Sequence, residues 1–155
     1  MGAAMHQTCN PYDGLYLALR RDAASNATWW QRALCALVRW RLVSQWCHAG
    51  VVCDGVLHHV TVTDGLTSTD DWTPSRWELF ALPDSSRDGL QSALQAHAGA
   101  RYDWFSLIAF LLPGRWSDSK RLYCFELPAL VLGISTRQRV TPERILTAIT
   151  KDKNA

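Results

Sequence analysis

Cys124 lies in the segment of the chain whose residues most directly suggest chemistry. Apolar residues recur there at helical spacing, at Leu127, Leu130, Val131 and Ile134, and Gly133 lies where a helix would end. Because proline is tolerated only in the first turn of a helix, Pro128 predicts a helix that begins between Cys124 and Leu127. Free N–H groups at that position favour a thiolate, which is what a cysteine nucleophile needs. A buried, inert cysteine is the alternative.

Two histidines are placed together by a predicted β-hairpin. Asp54-Gly55 separates two β-prone runs, which is typical of a two-residue turn. Side chains alternate along a strand, so this turn puts His48 and His59 on one face and His58 on the other. We expect that face to reach Cys124, with one imidazole as base and the other orienting it. A solvated or core-edge histidine pair is the alternative, and a three-residue turn would exchange His58 and His59.

The same hairpin has the composition of a metal site, with Cys47, His48, Cys53, His58 and His59. No face of the predicted hairpin collects more than Cys47, Cys53 and His58. Strand spacing separates the two sulfur atoms by about 20 Å. One zinc ion cannot bridge that distance, so the spacing disfavours a metal site.

The composition is that of a globular protein with one domain. The chain has 155 residues, of which 48% are hydrophobic and 19% are charged. The net charge of +2 gives no reason to expect nucleic acid as a partner. No apolar run approaches the roughly 20 residues of a membrane span. The five cysteines show no framework-like spacing, which predicts reduced thiols in a cytoplasmic setting.

The remaining pattern predicts an α+β fold with a small antiparallel sheet packed against helices. Strands are expected at Leu15–Leu19, on both sides of Asp54-Gly55, and at Trp77–Leu82, with a loop over 64–75. Helices are expected from Asn26 or Thr28 to about Gln45, from Ser85 or Ser86 to His97, over Tyr102–Leu112, around Pro128, and from Thr141-Pro142 to about Ile149.

The order of these motifs resembles a known family. Cys47-His48-Ala49-Gly50 opens a strand of the hairpin, and Tyr123-Cys124-Phe125-Glu126-Leu127 follows late in the chain. This is similar to the circularly permuted branch of the NlpC-type papain-like cysteine hydrolases. That branch includes YiiX-like proteins and relatives of lecithin retinol acyltransferase. The resemblance covers about Asp13 to Ile149 and implies a single papain-like domain.

The resemblance implies a catalytic triad with Cys124 as nucleophile, His48 as general base and His59 as the third polar residue. It implies no metal or organic cofactor. Phe125 departs from the family pattern, where serine is frequent, and could alter the fit of substrate. We expect hydrolysis of an amide bond in a cell-wall peptide, that is, a peptidoglycan endopeptidase or amidase.

Two other functions remain open. One is acyl transfer to, or ester hydrolysis of, a lipid through the same thioester. The other is a non-catalytic role as a phage virion or complex component that keeps the fold for binding. The start of the chain shows no secretory signal. We therefore expect a cytoplasmic protein, or one delivered by a phage particle or a secretion system. The sequence leaves the oligomeric state open.

Overall fold

A five-stranded antiparallel sheet forms the centre of the molecule. The structure is a computed structural model and describes residues 12–103, 121–136 and 140–152. The strands are β1 (Leu15–Arg20), β2 (His48–Cys53), β3 (Val56–Thr61), β4 (Gly65–Thr69) and β5 (Glu78–Ala81). Their order in the sheet is β4-β3-β2-β1-β5, and every neighbouring pair is antiparallel.

The described residues also form four α-helices, and each of them contributes to the core on one face of the sheet. They are α1 (Trp29–Leu42), α2 (Ser86–Ala96), α3 (Glu126–Val131) and α4 (Pro142–Asp152). Two short strands, β6 (Arg101–Tyr102) and β7 (Arg121–Leu122), form a separate parallel pair. The predicted α+β class with a small antiparallel sheet is confirmed. None of the described helices is both long and apolar enough to cross a membrane.

The register of the β2–β3 hairpin agrees with the prediction. Gly50 pairs with His59, and Val51 pairs with His58. Asp54 and Gly55 form the turn with φ angles of 48° and 86°. A two-residue turn of this kind matches the twist of the strands it joins, which fixes the pairing. His59 therefore shares the face of Gly50, and His58 lies on the opposite face.

Two predicted segments differ from the structure. The predicted loop over 64–75 contains β4, which pairs with β3 as an edge strand of the sheet. Its polar threonines and serine are compatible with an edge that faces solvent, so the alternation of apolar residues is lost. The predicted helix Tyr102–Leu112 begins instead in strand β6, and the rest of that prediction lies outside the described residues.

The two faces of the sheet are packed unequally. The larger core includes Leu17, Leu19 and Val51 from the sheet, Leu90 from α2, Leu127 from α3 and Ile145 from α4. The smaller core, on the other face, holds Ala18, Val52, Leu57 and Trp77. His48 and His59 lie on the face of this smaller core.

A disulfide joins Cys35 of α1 to Cys47, the residue before β2. The expectation of reduced thiols is wrong for these two residues, whose Cα atoms lie 5.1 Å apart. The pairing arises because α1 folds back on the start of β2, and sequence spacing does not show this. In the described part of the chain, Cys53 and Cys124 carry free thiols.

Reduction of the Cys35–Cys47 disulfide is expected to lower the melting temperature by about 10 °C. The bond closes a loop with a sequence separation of 12. Releasing a loop of that size costs about 3 kcal/mol of stability. Thermal unfolding with and without a reductant measures the change, and Cys35→Ser should melt at the lower temperature under both conditions. Free thiols at both positions in the purified protein would contradict the pairing.

Candidate active site

The Cys124 sulfur lies against the backbone of the strand that begins with His48. It is 4.0 Å from the carbonyl oxygen of Cys47. Backbone N–H groups of Ala49, Cys124 and Phe125 are directed at the sulfur. Cys47 and Ala49 flank His48, so the thiol lies beside the start of β2. As predicted, the helix begins just after Cys124, and Pro128 lies in its first turn.

Burial holds the Cys124 thiol in its protonated form. Loss of solvent raises its pKa to about 12, and this outweighs the N–H groups and the charge of Arg20, which lower it. The sequence predicted a thiolate from the helix start alone. That prediction is wrong, because only 4% of the residue is exposed and its burial outweighs the effect of the helix start. A nucleophilic role for Cys124 would therefore require a base that removes its proton during attack.

His48 and His59 are joined by a hydrogen bond. Nε2 of His48 and Nδ1 of His59 are 3.1 Å apart, and the ring centroids are 5.3 Å apart. His58 lies on the opposite face, where its Nδ1 is 2.7 Å from Oγ of Ser68. The structure thus brings the two predicted histidines together and separates the third.

Both imidazoles of the pair are neutral near pH 7. Burial lowers the pKa of His48 well below its usual value, and the charge of Arg20 and the neighbouring His59 act in the same direction. Burial and Arg20 likewise lower the pKa of His59 to about 4. A neutral imidazole with a neutral thiol is the starting state for general-base catalysis, in which the proton moves during attack.

The thiol and the two histidines line one cavity of about 980 Å³. Cys124 packs in the larger core and also lines this cavity, beside the start of β2. Nδ1 of His48 has no hydrogen-bond partner within the described residues, and it can accept a proton in the tautomer whose Nε2–H donates to His59.

Trp77 and Arg20 complete the cavity and were not identified from the sequence. The Trp77 ring centroid is 5.6 Å from that of His48 and 6.1 Å from that of His59. Arg20 is directly opposite His48 in the β1–β2 pairing, and its Cζ atom is 5.0 Å from the Trp77 ring centroid. The signal in the sequence was an arginine in phase with Ala18 at the end of an apolar strand. This arginine can be assigned to the site only when it is known that β1 pairs with β2.

The metal interpretation finds no support in this arrangement. Cys47 is bonded to Cys35, so its sulfur is not a thiolate ligand. Across the part of the chain that is described, no group of three or more His, Cys, Asp or Glu side chains is placed to hold a metal ion.

Comparison with known proteins does not assign this site. No protein-family model matches the chain. Comparisons with curated proteins and with solved structures also gave no match.

Proposed function

We propose that this protein is a cysteine hydrolase that cleaves amide bonds through a thioester on Cys124. In this proposal the domain has the papain-like fold of the permuted NlpC-type family, and its substrate is a cell-wall peptide. One observation carries the proposal: the His48–His59 hydrogen bond lies in the cavity that Cys124 lines, and the sulfur touches the backbone on both sides of His48.

The proposed reaction has two steps. His48 accepts the proton of Cys124 while the sulfur attacks the carbonyl carbon, and protonated His48 then donates that proton to the departing amine. A thioester remains on Cys124. Water then attacks the thioester with His48 as base, releasing a carboxylic acid and restoring the thiol. His59 holds the His48 ring in one tautomer and orientation throughout.

The electrostatics of the site fit this division of roles. The N–H groups of Ala49, Cys124 and Phe125 are already directed at the sulfur, so a developing thiolate is stabilised without rearrangement. The lowered pKa of His48 makes its ring a weaker base but keeps it unprotonated, and so available to take the thiol proton, at pH values below 6.5. The site therefore supplies a base for the thiol proton and N–H groups that stabilise the negative charge forming on the sulfur.

The experiment that tests the substrate class compares two kinds of acyl compound. The protein is incubated with purified peptidoglycan and, separately, with lipid esters, and the products are identified by mass spectrometry. We expect new peptide fragments from peptidoglycan and none from the Cys124→Ala variant. Products from neither class, with a correctly folded protein, would contradict the proposed hydrolase.

A lipid acyl group is the second candidate substrate, and α1 favours it. Trp29 is 81% exposed and Trp40 is 72% exposed, and Val43 at the end of the helix is 92% exposed. Exposed apolar side chains beside Arg32 and Arg39 are typical of a helix that rests on a lipid surface. Lipid products in the experiment above, without peptide products, would select this candidate.

Gly50→Ala is expected to slow acylation of Cys124 about tenfold, because Gly50 leaves the space that His59 occupies. A Cβ atom at Gly50 would lie 3.1 Å from the Cβ atom of His59 and 2.9 Å from the carbonyl oxygen of His58. The methyl group would displace β3 and lengthen the His48–His59 hydrogen bond. Release of 4-nitrophenol from 4-nitrophenyl acetate reports the rate.

Gly99→Ala is the matched control for Gly50→Ala. A Cβ atom there meets nothing within 4 Å, but the φ of +73° strains any side chain. This variant should lose stability and keep its acylation rate. Equal rates in wild type and Gly50→Ala would show that the position of His59 does not matter.

A further inference from the structure

The guanidinium group of Arg20 lies at the centre of the candidate site. Arg20 ends β1, is directly opposite His48, and lines the same cavity as Cys124. The Trp77 ring covers one side of it, with Cζ 5.0 Å from the ring centroid. The position of this cation is therefore fixed beside both the proposed nucleophile and its base.

Nε of Arg20 is buried without a hydrogen-bond partner in the described part of the chain. Arg20 makes no salt bridge there, whereas the neighbouring Arg21 pairs with Glu78 and Arg39 pairs with Asp22. A buried N–H of a charged group without a partner is unfavourable and rare in folded proteins. An anion that enters the cavity would satisfy it.

The charges that line the cavity favour an anion. Arg20 and Arg76 are its arginines, and Asp71 is the one carboxylate among its described lining residues. Nε and one terminal nitrogen of a guanidinium form a planar fork that matches the two oxygens of a carboxylate. The thiol of Cys124 does not take this role, because burial keeps it protonated.

We infer that Arg20 binds a carboxylate of the acyl substrate beside the bond that Cys124 attacks. The inference rests on the proposed function and narrows its substrate to acyl compounds that carry a carboxylate near the scissile bond. Acidic peptides meet this requirement, and neutral lipid esters do not. Arg20 is then a specificity residue, in addition to its effect on the charges of the site.

Alkylation of Cys124 by two reagents of different charge tests this role. Iodoacetate carries a carboxylate next to its reacting carbon, and iodoacetamide is its neutral counterpart. The ratio of the two rates cancels differences in access and in thiolate fraction. We expect Arg20→Met to lower the iodoacetate-to-iodoacetamide ratio at Cys124 about tenfold. Arg20→Lys, which keeps the charge and loses the fork, should give an intermediate ratio.

Two controls make the measurement specific. Arg76→Met removes an exposed arginine from the same cavity and should change the ratio by less than Arg20→Met. Cys53 is an internal reference, because it lies at the other end of β2 and its sulfur is 3.2 Å from a terminal nitrogen of Arg87. The iodoacetate-to-iodoacetamide ratio at Cys53 should be the same in wild type and in Arg20→Met. An unchanged ratio at Cys124 in folded Arg20→Met would overturn the inference.

A binding experiment separates this inference from the proposed hydrolase. Glutaramate, which has a carboxylate and an amide on one short chain, is titrated into Cys124→Ser while the imidazole NMR signals of His48 and His59 are followed. We expect glutaramate to shift these signals, glutaramide to leave them unchanged, and Arg20→Met to abolish the shift. No shift with glutaramate would overturn the carboxylate site even if Cys124 proves reactive. A larger shift with methylphosphonate would assign the site to phosphate and also overturn it.

Discussion

Replacing His48 by alanine is expected to slow acylation of Cys124 by 4-nitrophenyl acetate by about 10²- to 10⁴-fold, the usual contribution of a general base. The reason is the protonation state of the site, since burial raises the pKa of the Cys124 thiol to about 12. Without an imidazole to take the proton during attack, the small thiolate fraction must react alone. Release of 4-nitrophenol, measured with each variant at one pH, gives the rates.

The other two histidines are matched controls for His48→Ala. His59→Ala should slow acylation of Cys124 about tenfold, which is a smaller loss of rate than that of His48→Ala. The reason is that His59 acts through its 3.1 Å contact with His48 and orients that ring. His58→Ala should keep the wild-type rate, since His58 faces Ser68 on the other side of the sheet. Melting temperatures separate loss of rate from loss of fold. If His58→Ala were inactive and His59→Ala active, the assigned roles would be wrong.

Alkylation of Cys124 by iodoacetamide is expected to accelerate about tenfold for each pH unit between pH 7 and pH 10. The thiolate is the reacting species, and a thiol with a pKa of about 12 stays mostly protonated over this whole range. The rate should therefore rise about 1000-fold without levelling off, whereas that of an ordinary thiol levels off above its pKa of about 8.5. Labelling at each pH, followed by peptide mapping, measures the rate at Cys124 alone.

Free cysteine, alkylated in parallel, is the control for reagent chemistry, and tryptophan fluorescence shows at which pH values the fold persists. A rate at Cys124 that levels off near pH 8.5, as that of free cysteine does, would mean that burial does not raise the pKa of the thiol. Such a result would contradict the protonated thiol from which the proposed reaction starts.

The hairpin and the start of α3 could be predicted because local rules decide them. Asp54-Gly55 fixes the turn and hence which residues pair across β2 and β3. Pro128 restricts where the helix after Cys124 can begin. Both statements depend on residues within one hairpin or one helical turn, so no knowledge of distant contacts was needed.

The features that sequence analysis missed depend on contacts between distant segments. Cys35 meets Cys47 because α1 returns to the start of β2, and Arg20 meets His48 because β1 pairs with β2. The protonated state of Cys124 follows from burial in the core, which opposes the effect of the helix start. Local spacing identified the candidate reacting groups, whereas their protonation states depend on contacts between distant segments.

Peptide mapping after acetylation tests the central claim, that Cys124 is a nucleophile activated by His48. Cleavage after Arg121 and Arg137 yields a peptide in which Cys124 is the only cysteine. After brief exposure to 4-nitrophenyl acetate, we predict one acetyl group on this peptide, removed by hydroxylamine as a thioester is. His48→Ala and the denatured protein should lack it. Acetyl groups spread equally over Cys53 and Cys124, or equal acetylation of Cys124 in wild type and His48→Ala, would contradict the account.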